Sequence, residues 1–277
     1  MPSAIPEEAL ESRKQAVQSH WQQEACGTRG VAEEDRKAFF EQIEQERYMW
    51  EPYIPLFAQF ESGRGKSVLE VGVGAGTDFV NWVRHGAEAT GVDLTERGVM
   101  LTRERLSLEG LSATVIQADA EALPFADASF DLVYSYGVLH HSPHTVRAVS
   151  EVHRVLKPGG TARVMVYHLH SWAVWMVWAM NCAAQGRPWK SPRWAAYHHL
   201  ESPGTKTYTR EEALTLFSSF SKVEARSQLC SGDLLSFRRS AKYSSGLHAL
   251  AWEYYPRRLV QLAGNRFGLA LMIEAQK

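Results

Sequence analysis

From Val68 to Asp78 the chain reads Val-Leu-Glu-Val-Gly-Val-Gly-Ala-Gly-Thr-Asp, an apolar strand pattern that runs into three alternating glycines, Gly72, Gly74 and Gly76, and then into helix-favouring sequence. A strand that passes so abruptly into a helix needs a sharp turn, and backbone without Cβ atoms lets a ligand come within contact distance of it. The segment therefore predicts the first βα unit of an open α/β sheet with a ligand at the carboxyl end of its strand. Nicotinamide-dependent oxidoreductases start from the same kind of turn, but they need glycines in GxGxxG spacing. Counting from Gly72 the third position is Thr77, and counting from Gly74 it is Phe79, so both registers fail.

The alternation continues downstream. Strand patterns at Ser67–Val71, Ala89–Val92, Ala113–Gln117, Phe130–Tyr134 and Thr161–Tyr167 are interleaved with helical periodicity at Asp78–His85, Glu96–Glu109 and Thr145–Leu156. This is the signature of parallel βαβ units. After Tyr167 a Trp-rich helix leads into a loop, Arg187 to Thr209, and Thr209 with Glu212 in capping-box spacing opens a further helix. Lys222–Leu229 and Gly268–Glu274 predict two closing strands around an Arg- and Tyr-rich insertion. Upstream, residues 6–58 predict two or more helices broken at 25–30. The organisation is a helical N-terminal cap, 1–62, and an α/β domain, 63–277, with insertions at 168–208 and 231–266.

Ligands of open α/β sheets sit outside the carboxyl ends of the strands. Asp93 ends the second predicted strand, where it can accept ribose hydroxyls or serve as a helix N-cap. Asp119 follows the third, where it can take an adenine amino group or simply stabilise a turn. Glu70, Ser135, Tyr136 and Gly137 fall on the ends of the first and fourth strands.

Further motifs are Ala118-Asp119-Ala120-Glu121-Ala122-Leu123-Pro124-Phe125, Ser129-Phe130-Asp131-Leu132-Val133, Gly137-Val138-Leu139-His140-His141 and Glu151 to Gly160. With the glycine motif and Asp93, they make residues 66 to 167 resemble a class I S-adenosylmethionine-dependent methyltransferase of the small-molecule group that includes the ubiquinone and menaquinone enzymes. The resemblance implies a Rossmann-like seven-stranded sheet in the order 3-2-1-4-5-7-6 with strand seven antiparallel. It also implies S-adenosylmethionine as cofactor. Gly72, Gly74 and Gly76 would wrap its methionine portion, Asp93 the ribose, Leu94, Asp119 and Ala120 the adenine, and Gly137 would lie near the sulfonium. Glu70, Thr77 and Ser135 complete the expected cofactor set.

Methyl transfer from a sulfonium is an in-line displacement, so the protein must position a nucleophile, exclude water and in some cases remove a proton. Tyr136, His140 and His141 are the catalytic candidates, because they follow strand four and histidine titrates in the right range; packing is the competing role for the two histidines. Acceptor candidates are Trp21, Tyr48 and Trp50 in the cap, and Tyr167, His168, Trp172 and Trp175 after strand five. Lys206 and Tyr208 sit in a cluster with Arg187, Lys190, Arg193, His198 and His199 that suits an anionic handle on an apolar or aromatic acceptor. The alternatives are a buried tryptophan helix and solvated loop charge.

A formal net charge of -1 gives no electrostatic reason to bind nucleic acid. Three separated cysteines, Cys26, Cys182 and Cys230, suit a reducing compartment, and the polar N-terminus has no secretory apolar region, so a cytoplasmic location is expected. No metal site is expected, and the oligomeric state is open. Arg238, Arg239, Lys242, Tyr254, Tyr255, Arg257 and Arg258 would let the late insertion rest on an anionic membrane and serve a lipid-like acceptor. A catalytically silent S-adenosylmethionine-binding scaffold is the alternative from a different functional class.

Overall fold

The computed structural model describes residues 7–23, 25, 27–202, 204–236 and 252–277. Seven strands form one sheet: β1 (Ser67–Val71), β2 (Glu88–Asp93), β3 (Thr114–Gln117), β4 (Phe130–Tyr136), β5 (Leu156–Tyr167), β6 (Lys222–Gln228) and β7 (Ala270–Gln276). Their order is β3-β2-β1-β4-β5-β7-β6. The first five strands run parallel, and β7 lies antiparallel between β5 and β6. Topology and strand direction agree with the sequence expectation.

Parallel strands must bury both faces, and the residues alternate accordingly. Val68, Leu132, Tyr134 and Met165 face one apolar layer with Phe79, Val80 and Trp82. Leu69, Val71, Val133, Val164 and Val166 face the other, against Ala148, Val149 and Val152 of α6 (Thr145–Val155) and Phe217. The short helix α3 (Ile54–Ala58) and the turn after it place Phe57, Ala58 and Phe60 in the first layer, so the last part of the predicted cap belongs to the sheet's core.

The cap proper is α1 (Glu7–Gln23) and α2 (Arg36–Trp50), the latter capped by Asp35 accepting from Lys37 and Ala38 N–H. Gly27 and Gly30 in the break have positive φ, a conformation glycine adopts without cost. Ion pairs fasten α2 to α4 (Thr77–Arg84) and α5 (Glu96–Leu108): Arg36 binds Glu104 at 2.6 Å, Arg84 binds Glu44 at 2.7 Å, and buried Arg105 also pairs with Glu44. The expected loop 187–209 contains a helix, α8 (Pro192–His199). Its N-cap Ser191 accepts from Trp194 N–H and Pro192 occupies the first turn, a start signal present in the sequence and overridden there by the surrounding turn residues. The tryptophan helix is α7 (Trp172–Asn181), and Thr209 and Glu212 form the expected capping box of α9 (Arg210–Leu216).

Candidate active site

The turn after β1 is held by its own backbone. Gly72 N–H donates to Val92 O at 2.7 Å and Gly76 N–H to Val73 O at 2.8 Å, and Gly76 caps α4 at φ 77°. Gly72 has φ 87°, and a Cβ there would stand 2.2 Å from Val138 Cγ2. A Cβ on Gly74, by contrast, would meet nothing within 4 Å. Asp93 ties this turn to the next: Oδ2 accepts from Gly74 N–H at 2.9 Å, and Oδ1 accepts from the amide and hydroxyl of Thr95 at 2.9 and 2.7 Å. Thr95, not Asp93, is the N-cap of α5, accepting from Gly98 N–H at 3.1 Å.

Helix α1 crosses the β2–β3 end. Lys14 Nζ lies 2.6 Å from Asp119 and 2.9 Å from Glu121, and Gln18 Nε2 donates to Leu94 O at 3.0 Å. At the end of β1, Glu70 is buried and its Oε2 has no hydrogen-bond partner among the described residues. Burial and the neighbouring Asp78 push its carboxyl well above the usual range. Asp78 is fully engaged, bidentate with Arg47 at 2.9 and 2.5 Å and accepting from Tyr134 Oη at 2.9 Å and Tyr48 Oη at 3.0 Å.

These groups face one cavity of about 810 Å³ along the carboxyl edge of the sheet. Its β1–β3 end is lined by Gly72, Gly74, Asp93, Leu94, Asp119 and Ala120. Its β4–β7 end is lined chiefly by apolar side chains, including Met165, Met176, Val177, Met180, Leu235 and Leu269. Polar groups that line the cavity include Tyr136, Glu51, Ser231 and Tyr255.

Residues 69–164 match the family model described as a methyltransferase domain. The chain carries a methyltransferase domain. Over 98 residues it is 45% identical to the phthiotriol/phenolphthiotriol dimycocerosates methyltransferase of Mycobacterium tuberculosis, covering 35% of this chain and 36% of that protein. Over 122 residues it is 38% identical to the fatty-acid O-methyltransferase of Mycolicibacterium smegmatis, covering 43% of each. The matched stretch thus spans about a third of the first relative's length. A solved S-adenosylmethionine-dependent methyltransferase from Mesorhizobium loti shares the fold, with a TM-score of 0.53 at 20% identity over 81% of this chain and 97% of that one. The nicotinamide reading falls with these matches, and S-adenosylmethionine is the cofactor of such domains.

Within the methyltransferase domain, Glu70, Gly72, Gly74, Thr77, Asp93, Leu94, Asp119, Ala120 and Gly137 of the expected cofactor set line the cavity. Gly76 and Ser135 stand behind it, Gly76 as the α4 cap and Ser135 buried with its hydroxyl on Val71 O. Tyr136 and His141 reach the cavity wall. His140 does not: it is fully buried, neither ring nitrogen has a partner among the described residues, and its ring centroid lies 4.1 Å from that of Tyr167 and 4.2 Å from that of His141. Burial, reinforced by His141, drives its pKa well below the histidine range. His141 Nδ1 lies 2.8 Å from Ser202 Oγ and its Nε2 3.4 Å from Glu201, which accepts from Tyr167 Oη at 2.7 Å. Donor atoms of His140, His141 and Glu201 lie within 4.8 Å of one another, a set of ligand types that can hold a metal ion, which the sequence did not suggest.

Of the expected acceptor residues, Trp21, Trp50 and Tyr167 line the cavity. Tyr48 stands one shell away on Asp78, His168 binds Gly268 O at 3.1 Å, and Trp172 and Trp175 are exposed on the outer face of α7, whose Met176, Val177 and Met180 face inward instead. The proposed anion clamp is spent elsewhere. Lys206 donates to the carbonyls of Ser142 and Pro143 and to Thr145, Arg193 pairs with Glu212 at 2.7 Å, and Tyr208 pairs its backbone with Tyr167; only His199 of that cluster lines the cavity. Arg238, Arg239 and Lys242 of the late insertion lie outside the described residues, as does Cys26. No described helix is long and apolar enough to cross a membrane. Sequence reasoning missed Lys14, Arg47, Glu51 and Glu201, which lie outside the shared motifs and carry no local signal of their own, and gave Tyr255, which lines the cavity, to a membrane surface.

Proposed function

We propose that this chain transfers the methyl group of S-adenosylmethionine to a lipid-like small molecule by in-line displacement. The observation that carries the reading is the single cavity joining the glycine turn to an apolar chamber. Its volume of about 810 Å³ lies near the top of the range of roughly 300–1,000 Å³ for small-molecule sites, leaving space for an acceptor beside the cofactor. The names of the two mycobacterial relatives, which act on dimycocerosates and fatty acids, support an acceptor with a long apolar body.

The residues present fit the cofactor. The unpartnered Glu70 oxygen offers a site for the methionine ammonium, and the open space over Gly74 leaves backbone approachable. Asp93 keeps one acceptor position for the ribose beyond its three protein donors, and Leu94, Asp119 and Ala120 flank the adenine position beneath α1. S-adenosylmethionine supplies the electrophilic methyl carbon and the leaving thioether. The protein orients the acceptor and keeps water out, a positioning contribution of up to about 7–11 kcal/mol in well-oriented systems.

Calorimetry with S-adenosylmethionine and S-adenosylhomocysteine tests the cofactor site, and incubation with a lipid extract followed by mass spectrometry tests the transfer. A gain of one methylene mass on an apolar metabolite is expected. Binding without any methylated product leaves a silent binder, and absence of binding overturns the reading.

A further inference from the structure

Glu51 and its neighbours carry a finer reading of the same chamber, which rests on the proposed methyl transfer. Glu51 closes the C-terminus of α2, its N–H on Arg47 O at 2.9 Å, and its half-buried side chain turns its open surface into the cavity. Its Oε2 accepts from Tyr136 Oη at 3.2 Å and its Oε1 from Ser231 Oγ at 3.3 Å. Tyr136 Oη lies 3.0 Å from Tyr53 Oη and, with its own proton on Glu51, accepts from it, so the carboxylate is held on a short hydroxyl network next to Gly137 in sequence. Each oxygen retains a lone pair, because a carboxylate offers about four acceptor positions. Tyr255 brings a second polar atom to this chamber, a buried hydroxyl with no partner among the described residues.

The charge around this end is one-sided. Glu51, Glu70 and Asp78 line it, and the cation beside them, Arg47, is committed to Asp78 through two hydrogen bonds. Lys14 is held at the opposite end by Asp119 and Glu121. Arg29 also borders the neighbouring cleft with Glu33 and Arg97. A carboxylate acceptor placed against Glu51 would set two carboxylates together, and among the described residues the cation beside them, Arg47, is already shared with Asp78, an arrangement that is disfavoured. A neutral hydroxyl meets an acceptor for its proton and a donor for its oxygen.

We propose that the acceptor nucleophile is a neutral hydroxyl group on an apolar body, and that Glu51 takes its proton. The acceptor oxygen attacks the sulfonium methyl, the C–O bond forms as the C–S bond breaks with its electron pair going to sulfur, and the O–H proton passes to Glu51 and later to solvent. Burial raises the Glu51 carboxyl above its ordinary value, opposed by Arg47, Tyr136, Ser231 and Tyr53. The groups that face it are Arg47 on its own helix, Tyr53, Tyr136 from β4, and Ser231 and Cys230 from α10 (Ser231–Leu234). The Cys230 thiol is itself pushed up by burial and stays neutral. A carboxyl raised in this way is a stronger base than an exposed one.

The test begins with calorimetry of S-adenosylhomocysteine, whose failure to bind would sink the methyl-transfer reading itself. On the protein saturated with that ligand, dodecanol and dodecanoate are titrated. Wild type is expected to bind the alcohol at least about ten-fold tighter, and Glu51→Gln to reduce that preference to a few-fold, since the repelling charge is gone while shape is kept. Tyr255→Phe serves as a second variant, expected to weaken alcohol binding about five-fold, the order of one neutral hydrogen bond. In turnover with dodecanol, Glu51→Gln should lower kcat by about 10²–10⁴-fold with the cofactor KM unchanged, and should remove the fall in wild-type kcat on the acid side. Tighter binding of dodecanoate by wild type, or a Gln variant that keeps both kcat and the acid limb, overturns the proposal.

Discussion

The two ends of the cavity differ in what makes them rigid. Around β1–β3 the ligand-facing surface is backbone and short acidic side chains, locked by hydrogen bonds within a few residues of each other, as when Asp93 binds Gly74 and Thr95. Around β4–β7 the wall is assembled from side chains far apart in sequence: Glu51 after α2, Tyr136 after β4, Met176 on α7 and Ser231 on α10. The first arrangement tolerates almost no change of residue at its turn but accepts one ligand shape. The second can alter its lining without altering the fold, which is what an acceptor site needs when one fold serves many acceptors.

The strongest way to break this contrast is Gly72→Ala. Positive φ costs a non-glycine residue of order 1–3 kcal/mol, and the new methyl would stand 2.2 Å from Val138 Cγ2. Overpacking against a stiff β-branched side chain adds about 1–3 kcal/mol more. We expect a lowered melting temperature and loss of cofactor binding by more than about 100-fold, the equivalent of 2.7 kcal/mol. Gly74→Ala has no protein atom to meet and carries only the strain in folding, so it is the control for the melting temperature, while its methyl enters the space offered to the cofactor. Equal shifts in melting temperature at the two positions would show that steric approach to Val138 does not set the turn.

This contrast also explains what the sequence revealed. The strands, the glycine turn and the place of Asp93 were legible because they depend on local rules: a strand pattern, a turn that excludes Cβ and an acidic residue at a strand end; the sheet order came with the family resemblance. Glu51 was not legible, because it becomes a cavity residue only when α2 docks on α4 and α5 through pairs such as Arg36–Glu104, a long-range event. The tryptophan helix misled for a related reason. Its periodicity is nearly uniform in apolarity, so the sequence could not say which face turns inward, and the structure gives the inward face to Met176, Val177 and Met180. The basic cluster misled because carbonyl and carboxylate partners for Lys206 and Arg193 lie in segments distant in sequence.

Asp93→Ala sharpens the contrast by a smaller amount. It removes the carboxylate offered to the ribose and also the partner of Gly74 N–H, so two losses fall on the same ligand. Cofactor affinity should drop by about 1–3 kcal/mol, the range for a charged hydrogen-bond partner, read as the dissociation constant of S-adenosylhomocysteine. Acceptor KM at saturating cofactor should move little. A tenfold rise in that KM would mean that the two ends are coupled through the turn and not separable as drawn.

The smallest effect is expected from a pair on one helix. Met176 and Trp175 are adjacent, yet Met176 lines the cavity while Trp175 is 48% exposed on the other side. Removing the Met176 side chain takes away apolar contact with the acceptor body, and hydrophobic pockets lose about 1–3 kcal/mol per methylene-sized mismatch. A flexible thioether in a partly open wall belongs at the low end of that range, so acceptor KM should rise about five- to ten-fold in Met176→Ala with cofactor affinity unchanged. Trp175→Ala should leave both values within about two-fold, since an exposed side chain changes little when truncated. Reversal of this pair, with Trp175 controlling acceptor KM and Met176 silent, would place the acceptor on the outer face of α7 and remove the apolar chamber from the catalytic cycle.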